Sequence, residues 1–277
     1  MRRRSRVLTL LAGLLAAALV YGVYYGIRWP RQLHADWQVA GKIRLSRPDS
    51  LALDADGRLR YVTLETIPGF LVELTADGPK TVFGDFGEPD GLLLLDDGIV
   101  VTEDDPNGRV MLYNPTTAKL RVLARLDHPK AVLRLADGRL LVAQDLPAGR
   151  LLEIGSDGQT KTVLDGLDRP KGLCQLPDGR IGIAESGRGR ILAHGAAGVE
   201  VLAEHLDNLR QLACGSDGSL WVVQSAVRSG RLLLIKDGRR RVIARHLREP
   251  QGIALAPDGS LYLAETRANR VLHLIPQ

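Results

Sequence analysis

Residues 249–266 read EPQGIALAPDGSLYLAET: an apolar run entered through Pro250, an Asp-Gly pair at Asp258 and Gly259, and a second apolar run ending in Glu265 and Thr266. Two alternating runs joined by Asp-Gly predict a β-hairpin, because the turn needs positive φ, which Gly accepts and Asp approaches. Imperfect copies recur at Asp56-Gly57, Asp97-Gly98, Asp137-Gly138, Asp178-Gly179 and Asp217-Gly218, with successive aspartates 41, 40, 41, 39 and 41 residues apart. A regular period in this range predicts a repeat architecture, with function at equivalent positions of the repeats.

Each repeat reads as four strands; in the fourth they fall at 172–176, 180–184, 190–194 and 199–202. Four antiparallel strands per ~40 to 45 residues is the period of a propeller blade. A helical repeat is disfavoured, since the apolar residues alternate and Gly interrupts every candidate helix. Six hairpins predict an all-β, six-bladed propeller over residues 37–277. The last blade ends at 271–275 without a fourth strand, and residues 37–45 have the form of the fourth strands at 80–83, 120–124 and 241–244. Pairing the start of the body with its last blade would close the ring and leave no open edge.

Ahead of the body, residues 7–27 form an uncharged, mostly apolar run, long enough as a helix to cross a hydrocarbon core of ~30 Å. The arginines at 2, 3, 4 and 6 place the N-terminus in the cytoplasm. Residues 1–27 are therefore read as an Arg cluster and transmembrane signal anchor, and 28–36 as a tether. The propeller then faces the periplasm, or the lumen or exterior. A cleaved signal peptide is the rival reading; the length of the run and the belt of Tyr21, Tyr24, Tyr25 and Trp29 favour the anchor. The net charge of +5 also resides here: without the six arginines of residues 1–31, 31 basic residues face 32 acidic ones. A nucleic-acid partner is thus unsupported. Cys174 and Cys214 lie four and three residues before their aspartates, so alternation points them to opposite faces, which favours two buried thiols over a disulfide.

Chemistry is expected where the repeats differ near the channel mouth. A first column follows the Pro of each repeat, or Leu209 in the fifth: Asp49, Asp90, Lys130, Lys171, Arg210 and Gln251. A second column ends the next strand: Thr63, Glu103, Gln144, Glu185, Gln224 and Glu265. The first column varies strongly and is read as ligand-facing. The second suits polar strand ends that satisfy backbone N–H groups, with same-blade pairs such as Lys171 and Glu185 as weak salt bridges; Glu185 and Glu265 are kept as candidate ligand-binding residues.

The pattern of an apolar strand opened by Pro-x-Gly in three repeats, Asp-Gly in all six and a second strand ending in an acid in three, after an anchor, resembles the six-bladed propellers of the regucalcin/gluconolactonase and strictosidine-synthase-like superfamily, including paraoxonase-like proteins. NHL-repeat propellers are close in pattern. The motifs that carry the resemblance are RPDSLALDADGR at 47–58, EPDG at 88–91, and the segment 249–270 that ends AETRANR. The resemblance implies lactone or ester hydrolysis and an axial divalent ion such as calcium. By position, Asp49, Asp90 and Glu103 are its candidate ligands, and Glu103 or His128 a candidate catalytic base. Lys130, Lys171 and Arg210 stand where Asn or Asp would be expected, and three cations repel a metal ion. They predict instead a basic arc opposite Asp49 and Asp90, suited to a small anionic or zwitterionic ligand. No G-x-S-x-G, HExxH or P-loop motif is present. The alternative to an enzyme is a non-catalytic propeller that binds a small molecule or a protein partner, or serves as an envelope scaffold.

Overall fold

The computed structural model describes residues 32–277. The anchor at 1–27 and the first residues of the tether lie outside them; among the described residues no helix is long and apolar enough to cross a membrane. The body is an all-β propeller of six blades. Blade 1 spans Pro48–Leu53, Leu59–Leu64, Gly69–Thr75 and Gly78–Phe86, and blades 2 to 5 repeat that meander up to Arg239–Leu247. In blade 4 the strands are Pro170–Gln175, Ile181–Glu185, Arg190–Gly195 and Gly198–Ala203, within a few residues of expectation.

Blade 6 has three strands of its own, Pro250–Leu255, Leu261–Glu265 and Arg270–Pro276, and Trp37–Arg44 adds antiparallel to the last of them. The ring thus closes as the sequence predicts. A further pairing was not foreseen: Gln32 and Leu33, within the expected tether, pair with Arg245 and Ala244 on the outer edge of blade 5.

Alternation in every strand sends apolar side chains to both faces of each blade. They meet in six apolar clusters among the described residues, one between each pair of neighbouring blades. Trp37 against Trp221, with ring centroids 5.2 Å apart, ties the closing strand to blade 5. Stacking face to face also explains why Cys174 and Cys214 form a disulfide rather than the two thiols expected. Their parity is opposite, as alternation requires, but opposite faces of adjacent blades look at one another across the shared cluster.

The Asp-Gly turns differ in detail from the two-residue hairpin. In blade 4, Leu176 N–H bonds to Arg180 O and Gly179 N–H to Leu176 O, with Gly179 at φ 85°. This is a three-residue loop in which Gly alone takes the left-handed position, while Asp178 Oδ1 accepts the Arg180 N–H. Blade 2 is tighter, since Leu95 pairs with Gly98 across Asp96 and Asp97. These turns lie on the face of the disc opposite the inner-strand prolines.

Candidate functional site

The residue that opens each inner strand is Pro48, Pro89, Pro129, Pro170, Leu209 or Pro250, and the first column follows it directly. These side chains converge on the mouth and are mostly buried: Asp49, Asp90, Lys130 and Gln251 are each under a tenth exposed. The third inner-strand residue sets how closely neighbours approach. A Cβ on Gly91 would lie 2.2 Å from the carbonyl of Lys130, and one on Gly252 2.1 Å from that of Asp49. At these positions only Gly allows the approach, which accounts for Pro-x-Gly in blades 2, 4 and 6; Ser50, Ala131 and Gln211 stand there in the others.

The second column does not face the ligand space. Glu103, Gln144, Glu185, Gln224 and Glu265 lie opposite the first residue of their inner strand. Their side chains turn to the chain entering the blade and, in all but Gln224, to an arginine further along the sheet. Glu185 accepts the Asp168 N–H at 2.8 Å and pairs with Arg188 and Arg190. Glu265 accepts the Arg248 N–H at 3.0 Å and pairs with Arg270. Glu103 accepts the Gly87 N–H and takes both arms of Arg109 at 2.5 Å. Burial pushes the Glu103 carboxyl up, but Arg109 and the Gly87 N–H outweigh it and hold it below the usual range. Glu185 and Glu265, expected to bind ligand, and Glu103, expected as catalytic base and metal ligand, thus each hold the chain entering a blade and an arginine. Thr63 is not equivalent to them, since Pro48 pairs with Leu64. Lys171 and Glu185 do not form the expected pair.

The polar ring that does face the mouth lies one residue later. Glu65, Asp104, Asp145, Ser186, Ser225 and Thr266 each donate their N–H to the carbonyl of the residue before an inner strand, at 2.8–3.2 Å. Sequence reasoning missed this ring; strand parity would have found it, because the position opposite the Pro cannot share the orientation of the next. Blades 1 to 3 supply acids to it and blades 4 to 6 hydroxyls.

The acids meet the cations across blade boundaries. Lys130 Nζ lies 2.5 Å from both Asp90 and Asp104, and Lys171 Nζ 2.7 Å from Asp145. Burial disfavours the Lys130 ammonium, but Asp90 and Asp104 overcome it and raise its pKa. The Lys171 ammonium is pushed down by burial and by Arg210, against Asp145. Asp49 is raised well above the carboxylate range by burial, Asp90 and Glu65. Arg210 acts on Lys171 and Asp49 through its charge, and among the described residues no carboxylate stands within ion-pair distance of it. Gln211 reaches over to blade 1, donating to Ser50 Oγ at 2.9 Å.

His128 sits on the rim in the left-handed region, φ 47°, as do Arg47, Arg169, Asn208 and Glu249 at equivalent positions. Its Nδ1 lies 2.9 Å from Asp104 Oδ1 and its side chain is one-third exposed. The carboxylate makes Nδ1 the donor, leaving Nε2 as an acceptor.

For calcium the residues do not fit. Glu103 is held by Arg109, the Asp90 carboxylate is closed by Lys130, and no three His, Cys, Asp or Glu side chains among the described residues are placed to hold a metal. Two grooves lie elsewhere, on the turn-bearing face: one of ≈ 530 Å³ between blades 4 and 5 and one of ≈ 330 Å³ between blades 2 and 3.

No family model and no curated protein matches the sequence. Solved structures do match in fold. A candidate gluconolactonase aligns with a TM-score of 0.66 at 16% identity, over 87% of this chain and 94% of that one. Regucalcin from Agrobacterium tumefaciens, a calcium-binding protein, aligns at 0.64 and 16% identity over 86% and 94%. Virginiamycin B lyase from Staphylococcus aureus aligns at 0.63 and 12% identity over 87% and 100%. The architecture is that of these propellers, in keeping with the resemblance in the repeats.

Proposed function

We propose that the mouth binds a small anionic or zwitterionic molecule and that the propeller hydrolyses it as a lactone or ester. The observation that carries this is Arg210, a guanidinium at the mouth beside Lys171 with no carboxylate in ion-pair distance, across from Asp49 and Asp90. A fork of this kind suits a carboxylate or phosphate on the substrate. His128, oriented by Asp104, is placed to take a proton from water through Nε2. The water oxygen then attacks the carbonyl, the ring or ester C–O bond breaks, and the departing oxygen takes the proton back from the imidazolium. Fold likeness to a candidate gluconolactonase supports the reaction class.

The body is proposed to stand on the non-cytoplasmic side of a membrane, held by residues 1–27. The Cys174–Cys214 disulfide supports an oxidising compartment. Hydrolysis of a panel of carboxylated lactones by the full-length protein tests the enzyme reading; turnover should fall with His128→Gln. A non-catalytic binder or scaffold is the second reading, favoured by the closed ion pairs of Asp90, Asp104 and Asp145. Anion binding without turnover would select it.

A further inference from the structure

We propose that the Lys130 ammonium is a built-in cation occupying the place of a metal ion at the mouth, and that its removal leaves Asp90 and Asp104 open to a divalent cation. The inference concerns the architecture of the mouth and does not depend on whether the site hydrolyses anything.

Three features carry it. Asp90 on the inner strand of blade 2 and Asp104 beyond the next strand aim one carboxylate oxygen each at a single point, and Lys130 Nζ sits there, 2.5 Å from both. Oxygen ligands of calcium stand at ~2.3 to 2.6 Å from the ion, so the ammonium holds its carboxylates at the separation a hard cation would. The point is enclosed: the Lys130 side chain is 7% exposed, and the two carboxylates 12% and 14%.

The surrounding backbone does not rely on the lysine side chain. The Lys130 carbonyl accepts the Thr102 hydroxyl at 2.6 Å, and that hydroxyl accepts the Gly91 N–H at 2.8 Å. A substitution at position 130 leaves these main-chain contacts intact and deletes only the charge and its stem. Two buried acids without a counter-ion are then costly, and an exogenous cation relieves that cost. The lysine's advantage is permanence: a tethered charge needs no ion from solution and makes no demand for six or more oxygens.

The test is calcium and magnesium titration of full-length protein by calorimetry, with thermal melting in EDTA and in excess calcium. Wild type should melt alike in both. Lys130→Ala should melt lower in EDTA, recover in calcium, and bind calcium at least about tenfold more tightly than wild type; Lys130→Ala with Asp90→Asn should lose the recovery. Wild-type protein stabilised by calcium and destabilised by EDTA would overturn the proposal, as would a folded Lys130→Ala indifferent to cations. If Lys130→Ala folds in no condition, Lys130→Met combined with Asp90→Asn and Asp104→Asn decides. A folded, cation-indifferent triple variant supports the ammonium as charge balance, and an unfolded one assigns Lys130 to packing and overturns it.

Discussion

Glu185, with no exposed surface, accepts the backbone N–H of Asp168, the residue two positions before its own inner strand. Arg188 and Arg190 hold the same carboxylate. Glu185→Ala therefore strands a buried N–H and two guanidinium groups, and should cost ~3 to 5 kcal/mol. Glu185→Gln, which keeps an acceptor for Asp168, should cost less. Urea midpoints measure both, and ligand affinity of the folded Gln variant should match wild type.

Asp49 and Asp104 should give opposite pH dependences. Asp49 is raised in the fold by burial, so its contribution is complete below the ordinary aspartate value of 3.8 and is lost as pH rises through its folded value. Burial alone would raise Asp104 too, but Lys130 and His128 win and lower it, so its contribution is present above 3.8 and lost as pH falls. Asp49→Asn should gain on wild type with rising pH. Asp104→Asn should be weakest relative to wild type near neutrality and converge with it in acid. Melting temperatures from about pH 3 to about pH 8 check the pair.

Arg210→Ala should weaken binding of a carboxylate or phosphate ligand about 10- to 100-fold, with Arg210→Lys restoring part of it. Melting should change little, because no acid at the mouth depends on Arg210 for its ion pair. Calorimetry with the ligand that best stabilises wild type supplies the numbers; equal affinity in all three proteins would remove Arg210 from the site.

The Cys174–Cys214 bridge closes a loop with a sequence separation of 40. Loop-closure entropy gives it about 4 kcal/mol. Cys174→Ala with Cys214→Ala should lower the urea midpoint by a corresponding amount, and reductant should bring wild type towards the double variant.

The propeller was readable because the Asp-Gly period and the missing last strand are local facts that ring geometry converts into a fold. The first column was readable for the same reason, since five of its six members follow a Pro and the period supplies Arg210 after Leu209. What failed was parity. Glu103, Glu185 and Glu265 end their strands in acid, and counting back from the turn gave no means of telling whether that acid faces the channel or the incoming chain. The hydrogen bonds to Gly87, Asp168 and Arg248 decide it. The cysteines misled in a related way: alternation fixed the face of each correctly, but a disulfide joins facing surfaces of two sheets, which no single strand records. The pairing of Lys130 with Asp104 links positions 26 apart in blades the repeat treats as equivalent, so it was invisible to any comparison of repeat with repeat.

The two short pairings at the start of the body also define how the propeller bears load. A pull on the chain ahead of Gln32 falls first on Gln32 and Leu33 against Arg245 and Ala244, and on the His34 N–H bond to Ile243. Only when these yield does force reach Trp37–Arg44, the strand that keeps the ring shut. The outer edge of blade 5 thus holds the chain before it reaches the closing strand, so that the closure is backed by a second, separate set of bonds.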